Sequence, residues 1–363
     1  MPKGLKRVCS GALALLLAAC AGNGETVSGV GSPMVERGIV LDEEALVREV
    51  PKLAETATVF GPAPHQVVMP DGTPLPLRRW GPAPEAGESP KAVVLGLHGF
   101  NDHAGAFAAT AAALVPDDIA VYAWDQRGFG ASELRGRWPG TEQLVSDVVW
   151  VAGELRQRYP ETPIHLVGLS MGGALVSLAM HRDPALPVDG AVLVGPAFWG
   201  RTTMPWYQRG ALWVGERVAP GMTFSGQALG IEPTDDVDVA RQIARDPLWI
   251  RETRVDAISG ITDLMDRALR DVPDFQGAPT LIQYGGADEI IPADAACAMF
   301  RRLPASGRWR AAYYPDGYHM LTRYSGAPKV MGDIRAFIAD SAGELPSGHA
   351  IGRDAAIAEL CEP

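Results

Sequence analysis

A serine flanked by glycines is the first feature of this sequence that predicts chemistry. In the segment GLSMG, residues 168–172, glycine stands two positions before and two positions after Ser170. Residues 164–167 predict a buried strand, and the small residues after Ser170 predict a helix packed closely on a sheet. Only glycine lets the two backbones approach at such a turn. The pattern is typical of a nucleophile elbow, and an ordinary glycine-rich turn is the alternative interpretation.

A serine hydroxyl is a weak nucleophile near neutral pH and needs a base that an acid orients. Both partners follow the serine in chain order when the serine sits in such an elbow. Asp288 follows the predicted strand 280–284, at the strand end where open α/β sheets place their sites, and we predict it to be the acid. His319 follows the next predicted strand, and we predict it to be the base. Asp316 precedes His319 in the same loop, and we expect it to shape that turn.

An oxyanion hole needs backbone N–H groups beside the serine. We predict that Met171, directly after the serine, supplies one, and that Phe100, in the loop after the apolar strand 92–97, supplies the other. His98 lies in the same loop but precedes the serine, so we expect it to shape the loop and not to act as a base. This chemistry requires neither a metal nor a cofactor.

Strand and helix patterns alternate along most of the chain. Two strands flank a turn at residues 71–72, and further strands are predicted at 92–97, 119–124, 164–167, 191–194, 280–284 and 309–314. Helices are predicted at 105–115, from Thr141 to Tyr159, after Ser170, and at about 293–302 and 327–340. The alternation predicts an α/β fold with a mostly parallel sheet flanked by helices.

Residues 198–275 interrupt this alternation and are rich in tryptophan. They are helical and irregular in pattern and lie between two core strands, so we interpret them as an inserted cap. If residues 206–217 are helical, Trp206 and Trp213 lie near one face of the helix. Two interpretations stay open: the rings fill the interior of the cap, or they bind the substrate as an apolar wall over Ser170.

The N-terminus carries a targeting pattern. Three basic residues within the first seven precede an apolar run, residues 11–19, that is too short to span a bilayer. The run ends in LAAC at 17–20, which resembles the bacterial lipobox, where Cys20 is lipidated and becomes the mature N-terminus; a plain signal peptide is the alternative. We expect an exported lipoprotein. Because Ala21 and not Asp follows the cysteine, the resemblance indicates the periplasmic face of the outer membrane.

Composition and cysteine content bear on the possible partners and on a possible disulfide. The 363 residues are 47% hydrophobic and carry a formal net charge of −11, which argues against a nucleic-acid partner. Cys297 and Cys361 remain in the predicted mature body. An export route permits a disulfide between them, which would close a loop of about 64 residues, and two unpaired thiols are the alternative.

Five motifs in order resemble the α/β-hydrolase fold, and within it the monoacylglycerol lipase and lysophospholipase group, relatives of serine aminopeptidase S33. They are HGFNDHAG at 98–105, DQRGFGAS at 125–132, GLSMG at 168–172, GAD at 286–288 and GYH at 317–319. The resemblance covers about residues 60–340 and implies Ser170 as nucleophile, His319 as base and Asp288 as acid. Asp102 stands where these relatives have Glu, and the cap is the least matched part, which leaves the substrate's identity open.

The resulting prediction is a serine hydrolase that cleaves carboxylic esters of lipid-like substrates through an acyl-enzyme. An acyl transferase or a peptidase is the alternative, because a fold alone does not fix function, and a non-catalytic binding protein is disfavoured by the intact triad. The predicted segments are a signal peptide (1–19), a tether (20–58), the first part of the core (59–197), a cap (198–275), the second part of the core (276–341) and a tail (342–363).

Overall fold

The sheet that organises the fold is built from strands spread over the whole described chain. The computed structural model describes residues 37–41, 63–82, 87–201, 204, 206–225, 232–272 and 275–361. The predicted signal peptide, the predicted lipidation site Cys20 and most of the predicted tether lie outside the described residues. All of the described residues belong to the unit that spans 36–363.

Twelve strands occur in the described residues. In chain order they are β1 (Gly38–Val40), β2 (His65–Val68), β3 (Pro74–Trp80), β4 (Ala92–Leu97), β5 (Ile119–Trp124), β6 (Ile164–Leu169), β7 (Gly190–Val194), β8 (Thr223–Ser225), β9 (Glu252–Arg254), β10 (Thr280–Gly285), β11 (Trp309–Tyr314) and β12 (Ala350–Ile351). Ten of them form one sheet in the order β1-β2-β3-β5-β4-β6-β7-β10-β11-β12, and β8 pairs with β9 separately.

The centre of the large sheet is parallel. β5, β4, β6, β7, β10 and β11 pair in parallel, whereas β1, β2 and β3 at one edge and β12 at the other pair antiparallel. Parallel strands place their carboxyl ends at one edge, where β4, β6, β10 and β11 lead into the loops that hold the predicted site residues. The mostly parallel sheet predicted from the sequence is therefore confirmed.

Nine α-helices accompany the strands in the described chain. They are α1 (Ala108–Leu114), α2 (Thr141–Arg158), α3 (Met171–Arg182), α4 (Trp206–Val218), α5 (Val237–Arg245), α6 (Val255–Arg270), α7 (Ala293–Arg302), α8 (Ala327–Ala339) and α9 (Arg353–Cys361). The first begins three residues later than predicted, because Ala104–Phe107 forms a 3₁₀ turn whose N-cap, His103, accepts a hydrogen bond from the Gly105 N–H.

Helices cover both faces of the sheet. Val93 and Leu95 of β4 pack in an apolar cluster with residues of α2, α3 and α7, whereas Val94 points to a second cluster with residues of α1 and α8. Strands buried on both faces are continuously apolar in this way, as the sequence of β4 predicts. The two cores hold the central strands rigidly beneath the strand-end loops.

The interval 198–275 contains α4, β8, α5, β9 and α6. The long helix α6 buries ten of its residues, in part against α3. Helix α4 buries none of its residues. Among the described residues, no helix combines the length and the apolar composition that a membrane crossing requires.

The chain after residue 341 packs on the core. β12 pairs with β11, and α9 packs on α7. A disulfide joins Cys297 of α7 to Cys361 at the end of α9, with Cα atoms 5.3 Å apart. The pairing that the sequence left open is therefore present, and it fixes a segment in which the sequence offers few packing signals.

Candidate active site

Ser170 occupies the turn between β6 and α3. Its φ is +52°, in the left-handed region that residues other than glycine rarely adopt. A Cβ at Gly172 would collide with the carbonyl oxygen of Leu97, and a Cβ at Gly168 would collide with the backbone of Gly172. The two glycines therefore let the strand, the helix and the neighbouring β4 loop approach closely, as an elbow requires.

The structure brings Ser170, His319 and Asp288 into one hydrogen-bonded line. His319 Nε2 lies 2.9 Å from Ser170 Oγ, and His319 Nδ1 lies 2.7 Å from Asp288 Oδ2. The side chains of His319 and Asp288 are only 8% and 2% exposed. Because a carboxylate only accepts hydrogen bonds, the Nδ1–H donates to Asp288, which leaves the Nε2 lone pair directed at the serine hydroxyl.

The Asp288 carboxylate is held from its other side by the backbone. Its Oδ1 accepts hydrogen bonds from the N–H groups of Ile290, at 2.8 Å, and Ile291, at 2.9 Å. Asp316 is instead exposed, in the turn between β11 and His319. The position of Asp288 after β10 thus gives it the contact with His319, and Asp316 lies in the turn that it was expected to shape.

The two predicted oxyanion amides flank the serine. Met171 is the first residue of α3, where a helix leaves its N–H groups unpaired. Phe100 follows Gly99, where a Cβ would lie 3.4 Å from the Cβ of Ser170, so this loop passes directly beside the nucleophile. Within the described residues, neither amide donates a hydrogen bond to another protein group. Both are therefore available to a ligand oxygen.

His98 shapes the loop that carries Phe100. Its Nδ1–H donates to the Gly99 carbonyl oxygen at 2.8 Å, and its Nε2 accepts from the Gln126 N–H at 3.0 Å. The Gln126 side-chain amide donates back to the His98 carbonyl oxygen at 2.9 Å. Complete burial lowers the pKa of His98, so the ring is neutral. The expectation that His98 is a loop-shaping residue is confirmed.

A cavity of about 550 Å³ opens beside Ser170 and His319. The interval 198–275 contributes apolar residues to its wall, among them Ala240, Ile243, Ala244, Trp249 and Ile250. The sequence analysis did not assign these residues. The signal that could have found them is the spacing of Ala240, Ile243 and Ala244 at i, i+3 and i+4, which places them on one face of α5.

Comparison with known proteins now adds the family. The serine aminopeptidase S33 family (Hydrolase_4) matches residues 88–323. The chain belongs to this family. It is 35% identical over 273 residues to the monoglyceride lipase of Rattus norvegicus, covering 71% of this chain and 83% of that protein. It is 31% identical over 293 residues to the monoglyceride lipase of Homo sapiens, covering 77% and 89%.

Not every relative of this S33 family member is matched over its full length. The chain is 28% identical over 247 residues to the uncharacterized protein YnbC of Escherichia coli, which covers 67% of this chain but only 41% of that protein. Two solved structures are similar in fold. One is a monoacylglycerol lipase from Paleococcus ferrophilus, with a TM-score of 0.61 and 22% identity; the match covers 74% of this chain and 99% of that one. The other is a soluble variant of monoglyceride lipase from Saccharomyces cerevisiae, with a TM-score of 0.62 and 18% identity; the match covers 81% of this chain and 98% of that one.

These comparisons confirm the α/β-hydrolase fold and the resemblance to the monoacylglycerol lipase group. They place this S33 family member among the carboxylic-ester hydrolases.

One interpretation of the cap tryptophans of this S33 family member is corrected by the structure. Trp206 and Trp213 were expected to wall the cavity or to fill the cap interior, but the two residues are 77% and 59% exposed, and neither lines the described cavity. Both lie on α4, which buries no residue, and the Arg217 guanidinium stacks on the Trp213 ring at 4.1 Å. The helical spacing is as predicted, but the shared face is exposed, so the interpretation that these rings fill the interior of the cap is wrong, and their assignment to substrate binding stays a prediction.

The sequence analysis of this S33 family member also missed a buried ion pair beside the site. Asp102, two residues after Phe100, pairs with Arg323, four residues after His319, and their side chains are 3% and 4% exposed. The pair links the loop of the predicted oxyanion amide to the loop of the histidine. No local pattern reveals it, because the partners lie 221 positions apart.

Proposed function

We propose that the protein is a serine hydrolase that cleaves carboxylic monoesters of long aliphatic acids, of the monoacylglycerol or lysophospholipid kind. The observation that carries this proposal is the line from Asp288 through His319 to Ser170, at 2.7 Å and 2.9 Å, beside an apolar cavity. The names of the rat and human relatives, both monoglyceride lipases, support a glycerol monoester as the substrate.

The first half of the reaction forms an acyl-enzyme. His319 Nε2 removes the hydroxyl proton as Ser170 Oγ attacks the ester carbonyl carbon, and the carbonyl oxygen becomes an oxyanion. The N–H groups of Phe100 and Met171 donate to this oxyanion. Asp288 holds the ring in the required tautomer and stabilises the imidazolium. When the tetrahedral intermediate collapses, His319 gives its proton to the leaving alcohol oxygen, and the acyl group remains on Ser170.

The second half of the reaction releases the acid. Water enters after the alcohol leaves, and His319 Nε2 removes a proton from it as its oxygen attacks the acyl carbon. The oxyanion again receives the Phe100 and Met171 amides. Collapse breaks the bond to Ser170 Oγ, which recovers its proton from His319, and the free carboxylic acid departs.

The cavity explains why a lipid-like acyl group suits the site. Its wall combines apolar side chains such as Ile243, Trp249 and Ile250 with fewer polar ones, and the apolar side chains can contact an acyl chain. Burying one methylene in such a wall contributes about 0.8 kcal/mol. Four additional methylenes would therefore raise kcat/KM by about two orders of magnitude, as long as the cavity accommodates them.

The test is a hydrolysis profile of the purified protein over monoacylglycerols, lysophospholipids, short-chain esters and aminoacyl amides, with Ser170→Ala as the matched control. We expect fatty acid release from the long-chain monoesters by the wild-type protein and none by the variant. Release of amino acids from the amides, without hydrolysis of any ester, would overturn the proposal in favour of a peptidase. Transfer of the acyl group to added alcohol without release of acid would indicate a transferase.

We further propose that the protein is exported and held at the periplasmic face of the outer membrane by a lipid on Cys20. The lipobox-like LAAC segment at 17–20 supports this proposal. Cleavage before Cys20 removes three basic residues and takes the net charge from −11 to −14. A surface that acidic gains little from anionic headgroups, so the acyl chains would supply the attachment.

Fractionation of a Gram-negative host that expresses the full chain tests the anchor. Wild-type protein should sediment with outer membranes, and Cys20→Ala should be recovered from the soluble fraction. Mass spectrometry of the mature N-terminus should find a lipidated Cys20. An unmodified N-terminus at another residue would refute lipidation.

A further inference from the structure

Three consecutive residues after Phe100 are each tied to an element far away in the chain. Asn101 is the first, and its φ of +64° is unusual for a residue other than glycine. Its carbonyl oxygen accepts from the Ile250 N–H at 3.0 Å, and its side-chain amide donates to Thr253 Oγ1 at 2.7 Å. Both partners belong to the cap, so the cap holds the loop next to the predicted oxyanion amide.

His103 makes the second contact with the cap. Its Nε2 lies 2.6 Å from Oδ2 of Asp246, and the two side chains are 0% and 1% exposed. Its Nδ1 accepts from the Gly105 N–H at 3.1 Å, so the ring proton is on Nε2 and is donated to Asp246. Asp246 follows the last residue of α5 and is itself held at Oδ1 by the Leu248 N–H at 2.8 Å.

The position of the Phe100 amide depends on these contacts. The amide must lie about 2.7–3.1 Å from the oxyanion to stabilise it. The loop at 98–103 has no helix or strand of its own. His98 fixes its beginning on the core, and the Phe100 ring packs against Phe129 and Trp138. Directly after the loop, the Ala104 N–H donates to Asp125 Oδ1 at 2.8 Å. Between these core contacts, the cap holds Asn101 and His103, and Arg323 holds Asp102. A displacement of Asp246 would therefore be transmitted to Phe100.

We propose that His103 and Asp246 form a positioning pair through which the cap fixes the Phe100 amide of the oxyanion hole. The cap then helps to stabilise the transition state, through the position of the Phe100 amide, and it also contacts the acyl chain. The inference rests on the proposed function, because it takes the Phe100 amide as an oxyanion donor. Neither residue touches the reacting atoms, so the effect passes through the loop.

The test compares a transition-state mimic with a ground-state mimic. An alkyl trifluoromethyl ketone adds to the serine and forms an oxyanion, whereas a monoalkyl glycerol ether of the same chain length only occupies the cavity. Asp246→Ala should lower kcat about 10- to 100-fold and should weaken the affinity for the ketone by a similar factor. The loss should be smaller than the loss of about 10²–10³ in kcat that follows when a whole oxyanion donor is removed. The variant's KM and its affinity for the ether should stay within about twofold of wild type.

Two further variants sharpen the comparison. Asp246→Asn keeps one oxygen, which can accept either the His103 Nε2–H or the Leu248 N–H but not both, so it should recover only part of the lost kcat and ketone affinity. Asp266→Ala is the matched control, because this cap carboxylate pairs with Arg201 and is bonded to none of the residues 98–103. Asp266→Ala is expected to lower the melting temperature without changing the ratio of ketone to ether affinity.

Each outcome decides the inference. If Asp246→Ala does not fold, His103→Asn, which removes the contact from the other side, carries the same comparison. Unchanged kcat, or equal losses of ketone and ether affinity, would overturn the inference and leave the pair with a purely structural role. If the wild-type protein neither hydrolyses esters nor binds the ketone through Ser170, the proposed function fails instead.

Discussion

Nδ1 of His319 lies 2.7 Å from Oδ2 of Asp288, and this contact distinguishes the acid of the site from its rival. Asp316 lies only three residues before His319, yet it is exposed. Asp288→Asn should lower kcat by roughly 10³–10⁴, because the amide cannot hold the catalytic tautomer. Asp316→Asn should stay within about twofold of wild type. Steady-state ester hydrolysis by both variants checks the ranking, and the reverse ranking would move the acid to Asp316.

The cavity wall makes a second prediction, about chain length. Ile243→Trp should fill part of the cavity and lower kcat/KM for long-chain esters at least tenfold, while acetyl esters change little, because each excluded methylene forfeits about 0.8 kcal/mol. Trp213→Ala is the matched control, since the ring is 59% exposed and does not line the described cavity. A flattened chain-length preference in Trp213→Ala would mean that the first cap helix contacts the substrate after all.

Local signals account for what the sequence predicted about the site. Gly168 and Gly172 bracket Ser170 within five residues, a pattern that predicts a close approach of backbones, and in the structure a Cβ at either glycine would collide with neighbouring backbone. Asp288 and His319 could be placed because each follows an apolar strand, and parallel strands end at one edge. The geometry of the triad thus follows from periodicity and chain order.

The contacts that the sequence did not predict join residues with no shared local pattern. His103 meets Asp246 across 143 positions, and a lone histidine or aspartate carries no mark of its partner. The exposure of Trp206 and Trp213 was not predicted, because helical spacing shows which residues share a face of the helix but not whether that face is turned to the protein or to solvent. The two-residue strand β12 is too short to give a period.

The disulfide makes a third prediction, about stability. The bridge between Cys297 and Cys361 closes a sequence separation of 64 residues, which corresponds to about 4 kcal/mol in the chain-entropy description. Reduction should therefore lower the melting temperature of the wild-type protein markedly, and Cys361→Ala should show the same loss with no further effect of reductant. Alkylation of both thiols in native, non-reduced protein would contradict the bridge.

Burial of His165 makes a fourth prediction, about pH. Burial lowers the pKa of this histidine to about 4, whereas in the unfolded chain it titrates near 6.5. Between these values the unfolded state binds the proton and the folded state does not. Stability is therefore complete above about pH 6.5 and falls as the pH drops toward 4, by up to about 3 kcal/mol.

Urea unfolding of a variant tests this pH dependence. His165→Gln should show a smaller difference in the free energy of unfolding between pH 7 and pH 5 than the wild type. His181→Gln, which changes an exposed histidine at the end of α3, should keep the wild-type difference. An unchanged difference in His165→Gln would show that other groups cause the acid sensitivity.

The central claim is that Ser170 attacks the ester and carries the acyl group. The most direct measurement is the intact mass of the protein after treatment with a fluorophosphonate probe, together with ester turnover, for wild type and Ser170→Ala. Wild type should gain one probe at Ser170 and lose its activity, whereas the folded variant should gain none and turn over esters about 10⁴–10⁶ times more slowly. A folded Ser170→Ala protein that retains turnover, or a wild-type protein labelled at another residue, would contradict the claim.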